Sequence, residues 1–294
     1  MDRPADPRSE VPRRERRTAI IPTLRLNDGG LIPVLGFGTN ELRGDTGVAA
    51  IRSAIDAGYR LIDTAVNYEN EIEVGEAVRA ALIDRAELQI STKIPGRHHG
   101  YDETLRSFEE SRSRLGVEYL DFYLIHWPMP RIDRYVDSWR AMISLREQGL
   151  VRSIGVSNFT QAYITRLQDE TGVTPAVNQV EMHPYFPQSV LREFHDAQGI
   201  QTVSWSPLGK RSDLRAAPEL AVIARAHDVT PAQVVLRWHI QLGAIPIPKS
   251  QRAECQRENL DVFHWSLDDD ELRTISALGR GRLWGGDPET KEEF

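Results

Sequence analysis

The chain has 294 residues, 40% of them hydrophobic, enough for one βα barrel core or for two smaller domains. A formal net charge of −7 speaks against a general nucleic-acid binder, and no apolar run approaches the roughly 18 residues that cross a bilayer. The single cysteine, Cys255, excludes an internal disulfide framework and fits a reducing compartment, so a cytoplasmic location is expected.

Met1 to Arg17 is rich in Pro, Arg and Glu with almost nothing to bury, and reads as a disordered arm. Its Arg13-Arg14-Glu15-Arg16-Arg17 cluster is not an export signal, because only Ala19-Ile20-Ile21 follows before Pro22. Residues 18–294 then read as one domain. Thr23 to Leu26 and Leu31-Ile32, joined by Asn27-Asp28-Gly29-Gly30, form a hairpin expected to lie across the bottom of a barrel. Val34 to Thr39 is the first barrel strand, followed by a helix with Val48, Ile51 and Ile55 on one face. Gly36-Phe37-Gly38 lacks the third glycine of a dinucleotide fingerprint, since Glu41 stands there; the simpler reading is close backbone approach in a strand.

Strand and helix alternate from there on. Tyr59 to Ile62 leads into a helical pattern marked by Ile72, Val74, Val78 and Leu82; Leu88 to Thr92 precedes a helix marked by Leu105, Phe108 and Leu115. Leu120 to Ile125 is followed by Val136, Trp139 and Ile143 on a helix, and Val151 to Val156, Val177 to Glu181, and Gln201 to Trp205 are further strands. Thr230-Pro231-Ala232-Gln233 carries the residues of a helix start: a capping threonine, a proline in the first turn and a glutamine that reaches back. Ala244 to Pro248 supplies the last strand. Eight strands with helices between them define an α/β fold, a (β/α)8 barrel with the hairpin below and a helix and loop at the C-terminal end.

Three of these strands end on chemically useful groups. Asp63 follows the Tyr59–Ile62 strand, with Tyr68 one short loop later; Lys93 follows Leu88–Thr92; His126 follows Leu120–Ile125. Singly, these are a turn acid, a packing tyrosine, a solvated lysine and a core histidine. Their recurrence at the length of a βαβ unit instead gathers them on one barrel face. His98-His99 reads as a solvated loop and not a metal site, because adjacent histidines do not easily ligate together and no third ligand stands at useful spacing.

From about Thr23 onward the chain resembles the aldo-keto reductases. The resemblance is carried by Gly58-Tyr59-Arg60 with Asp63-Thr64-Ala65, Tyr68, Glu71 and Val74-Gly75, then Ser91-Thr92-Lys93 and Leu124-Ile125-His126-Trp127-Pro128. Ile154-Gly155-Val156-Ser157-Asn158-Phe159, Pro175 to Gln179 and Pro248-Lys249-Ser250 continue it. Asn178-Gln179 with Glu181-Met182-His183-Pro184, and Trp205 to Gly209, are most similar to bacterial 2,5-diketo-gluconate and methylglyoxal reductases.

The resemblance implies NADPH-dependent reduction of aldehydes and ketones by a monomer, with Asp63, Tyr68, Lys93 and His126 as the catalytic four. Tyr68 would give the proton, Lys93 would lower its pKa, Asp63 would hold Lys93, and His126 would position the carbonyl oxygen. Gly38, Thr39 and Asp63 would lie near the nicotinamide and its ribose, Ser157, Asn158 and Gln179 on the carboxamide, and Trp205 against the ring. Ser206, Pro207 and Leu208 would flank the pyrophosphate, Lys249, Ser250 and Arg252 the 2′-phosphate, and Glu258 and Asn259 the adenine. Asn40, Tyr68, His126 and Trp127 would line the substrate pocket. Cys255 stands where the family motif usually carries an arginine, so weaker discrimination against NADH is expected. Lys93-Ile94-Pro95 lacks the tryptophan many relatives place two residues after the lysine, which changes a pocket wall. The competing readings are a cofactor-binding regulatory barrel with little turnover, and a barrel hydrolase or isomerase. The latter would place paired carboxylates or a metal at the mouth.

Overall fold

The computed structural model describes residues 21–284 and 286–293; the arm read at Met1–Arg17 lies outside them. In chain order the strands are β1 (Thr23–Arg25), β2 (Leu31–Pro33), β3 (Phe37–Gly38), β4 (Leu61–Asp63), β5 (Gln89–Ile94), β6 (Leu120–Ile125), β7 (Val151–Ser157), β8 (Val177–Glu181), β9 (Gln201–Trp205) and β10 (Ile245–Pro246). The helices are α1 (Gly44–Ala57), α2 (Glu71–Ala80), α3 (Tyr101–Leu115), α4 (Tyr135–Glu147), α5 (Gln161–Thr171), α6 (Ser189–Gln198), α7 (Pro218–Ala226), α8 (Pro231–Gln241), α9 (Ala253–Leu260) and α10 (Asp269–Ser276). Strands β3 to β10 form one parallel sheet in sequence order. The Gly36 N–H donates to Pro246 O at 3.0 Å and the Gly38 N–H to Pro248 O at 3.1 Å, so first and last strands meet and the sheet closes. A Cβ on Gly36 would stand 2.8 Å from Ile247 Cγ2, and one on Gly38 2.9 Å from Ile247 O. The two glycines serve this seam, in keeping with the close-approach reading and not with a phosphate fingerprint.

The hairpin β1–β2 pairs antiparallel in the register Leu24 to Ile32 and carries Gly29 at φ 87° in its turn. Its buried residues, Leu26 and Ile32, join Leu61, Phe122, Leu124, Val177, Val203 and Ile247 inside the barrel, so the hairpin plugs the lower end. A larger apolar layer lies between strands and helices. Burying these side chains is the main driving force for closure, at about 25 cal/mol per Å² of apolar surface. At α8 the capping residues act as the sequence implies. Thr230 Oγ1 accepts from Gln233 N, Gln233 Oε1 accepts from Thr230 N, and Pro231 opens the helix.

Two readings shift. Tyr59 does not begin a strand: α1 ends on Gly58 at φ 120°, and the Tyr59 N–H bonds back to Ala54 O, leaving the strand to start at Leu61. The apolar pattern after Asn70 holds only in part: Val74 and Val78 are buried, Ile72 is not, and Leu82 lies beyond the end of α2. Ile72 and Leu82 are 53% and 91% exposed, while α2 buries Glu71, Val74, Gly75, Ala77 and Val78. Glu71 is held inward, its carboxylate accepting from Thr92 Oγ1 at 2.6 Å and pairing with Arg114 at 2.7 Å.

At the lower rim Asp121 on β6 is buried, accepting from the Ile90 N–H at 3.0 Å and pairing with Arg85 at 2.8 Å and Arg152 at 3.3 Å. Burial pushes its carboxyl pKa up despite Arg85. Asp121→Ala strands the buried Ile90 N–H and takes from Arg85 its carboxylate partner. A urea titration is expected to show a loss of about 2–4 kcal/mol, with NADPH binding unchanged because the rim is at the other end of the barrel.

Candidate active site

At the carboxyl end of the strands, Lys93 Nζ is fully buried, 2.7 Å from Asp63 Oδ2 and 2.8 Å from Thr64 O. The other Asp63 oxygen accepts from Gln179 Nε2 at 2.8 Å. Both carboxylate oxygens are therefore held, and the ion pair cannot rotate away. Burial works to lower the Lys93 pKa and the Asp63 charge opposes it. A buried ammonium persists only where such a partner is fixed beside it.

Tyr68 closes the short 3-10 turn Val66–Tyr68, with Lys93 Nζ 5.1 Å from its ring centre and the His126 ring edge-on at 5.9 Å. Its pKa lies well above the ordinary phenol value, raised first by burial and then by the charges of Asp63 and Glu293. The net shift is upward, where the resemblance implied a lowered value. The ammonium spends its hydrogen bonds on Asp63 and Thr64, and burial dominates, so the resting group is a neutral phenol. That is the form able to give up a proton.

The loop carrying Tyr68 is tied by a residue that the motifs did not single out. Asn70, wholly buried, donates to Thr39 O at 2.7 Å and Leu42 O at 2.9 Å, and accepts from Thr64 Oγ1 at 2.7 Å. It staples the β3–α1 loop to the β4–α2 loop. His126 follows β6, and its carbonyl accepts from Asn158 Nδ2 at 3.0 Å. Asn158 stands at φ 62°, a conformation kept where neighbours over-determine it. Here the Trp205 indole N–H donates to its Oδ1 at 2.9 Å and its own N–H to Gln179 O at 2.9 Å.

These groups open on a cavity of about 300 Å³. All four residues expected around substrate (Asn40, Tyr68, His126, Trp127) line it, as do Gly38, Thr39, Asp63, Asn158, Gln179 and Trp205. Ser206, Pro207, Leu208 and Lys249 continue the lining. Lys93 and Ser157 lie behind the wall, Ser157 donating to Gln179 O at 2.8 Å. Ser250, Arg252, Glu258 and Asn259 stand outside this cavity on and before α9. Arg252 precedes the helix and is exposed, Glu258 accepts from Thr230 Oγ1 at 2.6 Å, and Asn259 is buried beside Tyr59. Cys255 is half-buried within α9.

Sequence reasoning missed Glu41, Lys210 and Trp284, which also line the cavity. Glu41 bridges Lys210 at 3.1 Å and Lys249 at 2.9 Å, and the Lys249 hydrogen bond lowers its carboxyl pKa to about 2. Trp284 packs its ring 5.9 Å from Trp205. Only the G-x-G spacing drew attention to position 41, and nothing in the local pattern marks Trp284. The histidine pair also differs from its expected place. His99 is buried with neither ring nitrogen hydrogen-bonded, and burial lowers its pKa to about 4, so it is a neutral packing residue and not part of a solvated loop. No metal-holding cluster occurs among the described residues.

A model of the aldo/keto reductase family matches residues 34–280. The chain is 60% identical over 93% of its length to 2,5-diketo-D-gluconic acid reductase B of Corynebacterium sp., covering 99% of that protein. It is 44% identical over 90% of its length to methylglyoxal reductase DkgA of Salmonella typhimurium, covering 96% of it. Among solved structures, a mutant of Gox0644 in complex with NADPH is 43% identical with a TM-score of 0.88, covering 92% of this chain and 99% of that one. The chain belongs to the aldo/keto reductase family. It is accordingly an NADP-dependent oxidoreductase acting on carbonyl groups, on a (β/α)8 barrel.

The cavity fits that cofactor. Trp205 brings a flat aromatic to the lining beside Asn158, together with Gln179, and Lys210 and Lys249 bring cations to it.

Proposed function

We propose that the chain reduces small dicarbonyls or keto-sugar acids, with Tyr68 as proton donor and His126 as the group that orients the carbonyl. The observation that carries this reading is the buried Lys93–Asp63 pair set against a neutral Tyr68 at the base of the cavity. The reduced nicotinamide, when bound, would supply hydride for the carbonyl carbon. The residues of the chain do the rest. Tyr68 donates to the oxygen as negative charge grows on it, and the fixed ammonium of Lys93 favours the phenolate left behind. Asp63 keeps that ammonium in place. Trp205, Asn158 and Gln179 would hold the nicotinamide, and Lys249 with Ser250 and Arg252 the 2′-phosphate. The substrate class follows from the cavity's size and mixed lining, with Asn40 among aromatic residues, and from the names of the two relatives above. Action as a monomer in the cytoplasm belongs to the same proposal; no helix among the described residues is long and apolar enough to cross a membrane.

NADPH oxidation against a panel of simple aldehydes, methylglyoxal, diketones and keto-sugar acids tests this reading. Dicarbonyls or keto-sugar acids should show kcat/KM values well above those of simple aldehydes. A reversed order would sink the substrate assignment.

The cofactor end carries a separate prediction. In the free protein Glu41 neutralises Lys249, the cation proposed for the 2′-phosphate. Glu41→Gln should therefore tighten NADPH a few fold, in line with about 0.2–1 kcal/mol for an exposed pair, and leave NADH unchanged. Fluorescence titration of both cofactors measures it, and equal shifts for the two would remove the 2′-phosphate from the explanation.

A further inference from the structure

Against His126, and not among the residues that line the cavity, stands a carboxylate from the far end of the chain. Glu293 Oε1 is 2.7 Å from His126 Nδ1, and the two side chains are only 10% and 12% exposed. Several contacts bring it there. Tyr163 donates to Glu289 Oε2 at 2.6 Å, Arg131 pairs with Glu292 at 3.3 Å, and the Glu293 N–H points to Met129 Sδ at 3.2 Å. The Gly96 N–H donates to Glu293 Oε2 at 3.3 Å, and a Cβ on Gly96 would stand 2.6 Å from Glu293 O. A side chain at position 96 would push this segment out.

We infer that Glu293 is a positioning residue for carbonyl reduction, acting through His126. This rests on the role proposed above for His126. A ring nitrogen that faces a carboxylate this closely carries its proton, because a bare lone pair there would be repelled. The oxygen lies off the axis of the ring N–H, so the contact is a charge pairing more than an aligned hydrogen bond. With Nδ1–H turned to Glu293, Nε2 is the atom left for the cavity. The carboxylate thus fixes the orientation of the ring and sets a negative charge beside it. The carboxylate is built for this place. Burial works to raise its pKa, yet the pairing with His126, with hydrogen bonds from Asn67 and Gly96, holds it below the ordinary value. The Glu293 charge also reaches Tyr68, Lys93 and His99, and Lys93 is itself committed to Asp63.

A double-mutant cycle on the full chain tests the inference, with a dicarbonyl as substrate and NADPH affinity measured alongside. Glu293→Gln is expected to lower kcat about tenfold with NADPH affinity unchanged. In a His126→Gln background the same change should alter kcat less than about twofold, because the residue it acts through is gone. Gly96→Ala, which displaces the same carboxylate from the backbone side, should slow turnover to a similar degree. Normal turnover in His126→Gln would overturn the role of His126 and this inference with it. Slow His126→Gln beside normal Glu293→Gln and Gly96→Ala would overturn the inference alone. Full additivity in the double variant would also overturn it, since the segment would then act by packing and not through the imidazole.

Discussion

Tyr68→Phe is expected to lower kcat for carbonyl reduction by about a thousandfold, within the range for removal of a positioned general acid. NADPH affinity should stay within about twofold, because the hydroxyl is needed only as charge develops in the transition state. The structure gives a reason for so clean a separation. The Tyr68 ring is held by the turn and by the edge-on contact with His126, neither of which uses the hydroxyl. Stability should accordingly change by no more than about 0.5 kcal/mol. Steady-state kinetics, cofactor titration and a melting curve on one preparation check all three. Near wild-type turnover would remove Tyr68 from the chemistry.

Lys93→Met is expected to fail on two counts. Without its ammonium no fixed cation favours the phenolate, so turnover should fall at least as far as in Tyr68→Phe. Unlike that variant, it also leaves the Asp63 carboxylate buried with only Gln179 as a side-chain donor. Breaking a buried pair from one side costs about 3–5 kcal/mol, which urea denaturation would read directly. Adding Asp63→Asn should return part of that stability and none of the activity. If Lys93→Met melted like the wild type, the buried pair would not be the structural element described here.

Much of this was legible in the sequence because a parallel barrel writes its chemistry at regular intervals. Asp63, Lys93 and His126 sit at the ends of β4, β5 and β6, one βαβ unit apart, and the barrel must gather them. Local rules also sufficed for the Thr230 cap and the hairpin turn at Gly29. What stayed hidden depends on partners remote in sequence. Asn70 looks like an ordinary helix-start residue until Thr39, Leu42 and Thr64 close around it. Glu41 means little until Lys210 and Lys249 meet it from more than 160 positions away. Periodicity misled at Ile72, which faces out of α2 while its neighbour Glu71 is buried against Thr92 and Arg114, and at Leu82, which falls past the helix end. The net direction of the Tyr68 pKa stayed hidden for a similar reason, since the burial that raises it comes from packing remote in sequence.

The central claim is that this cavity consumes NADPH to reduce a carbonyl group. It is tested most directly by mixing the protein with NADPH and methylglyoxal and following both loss of reduced nicotinamide and appearance of the hydroxylated product. The account predicts many turnovers per protein molecule, with one product formed for each NADPH consumed. NADPH that binds in the cavity but stays reduced in the presence of methylglyoxal and every other carbonyl class tried would contradict it.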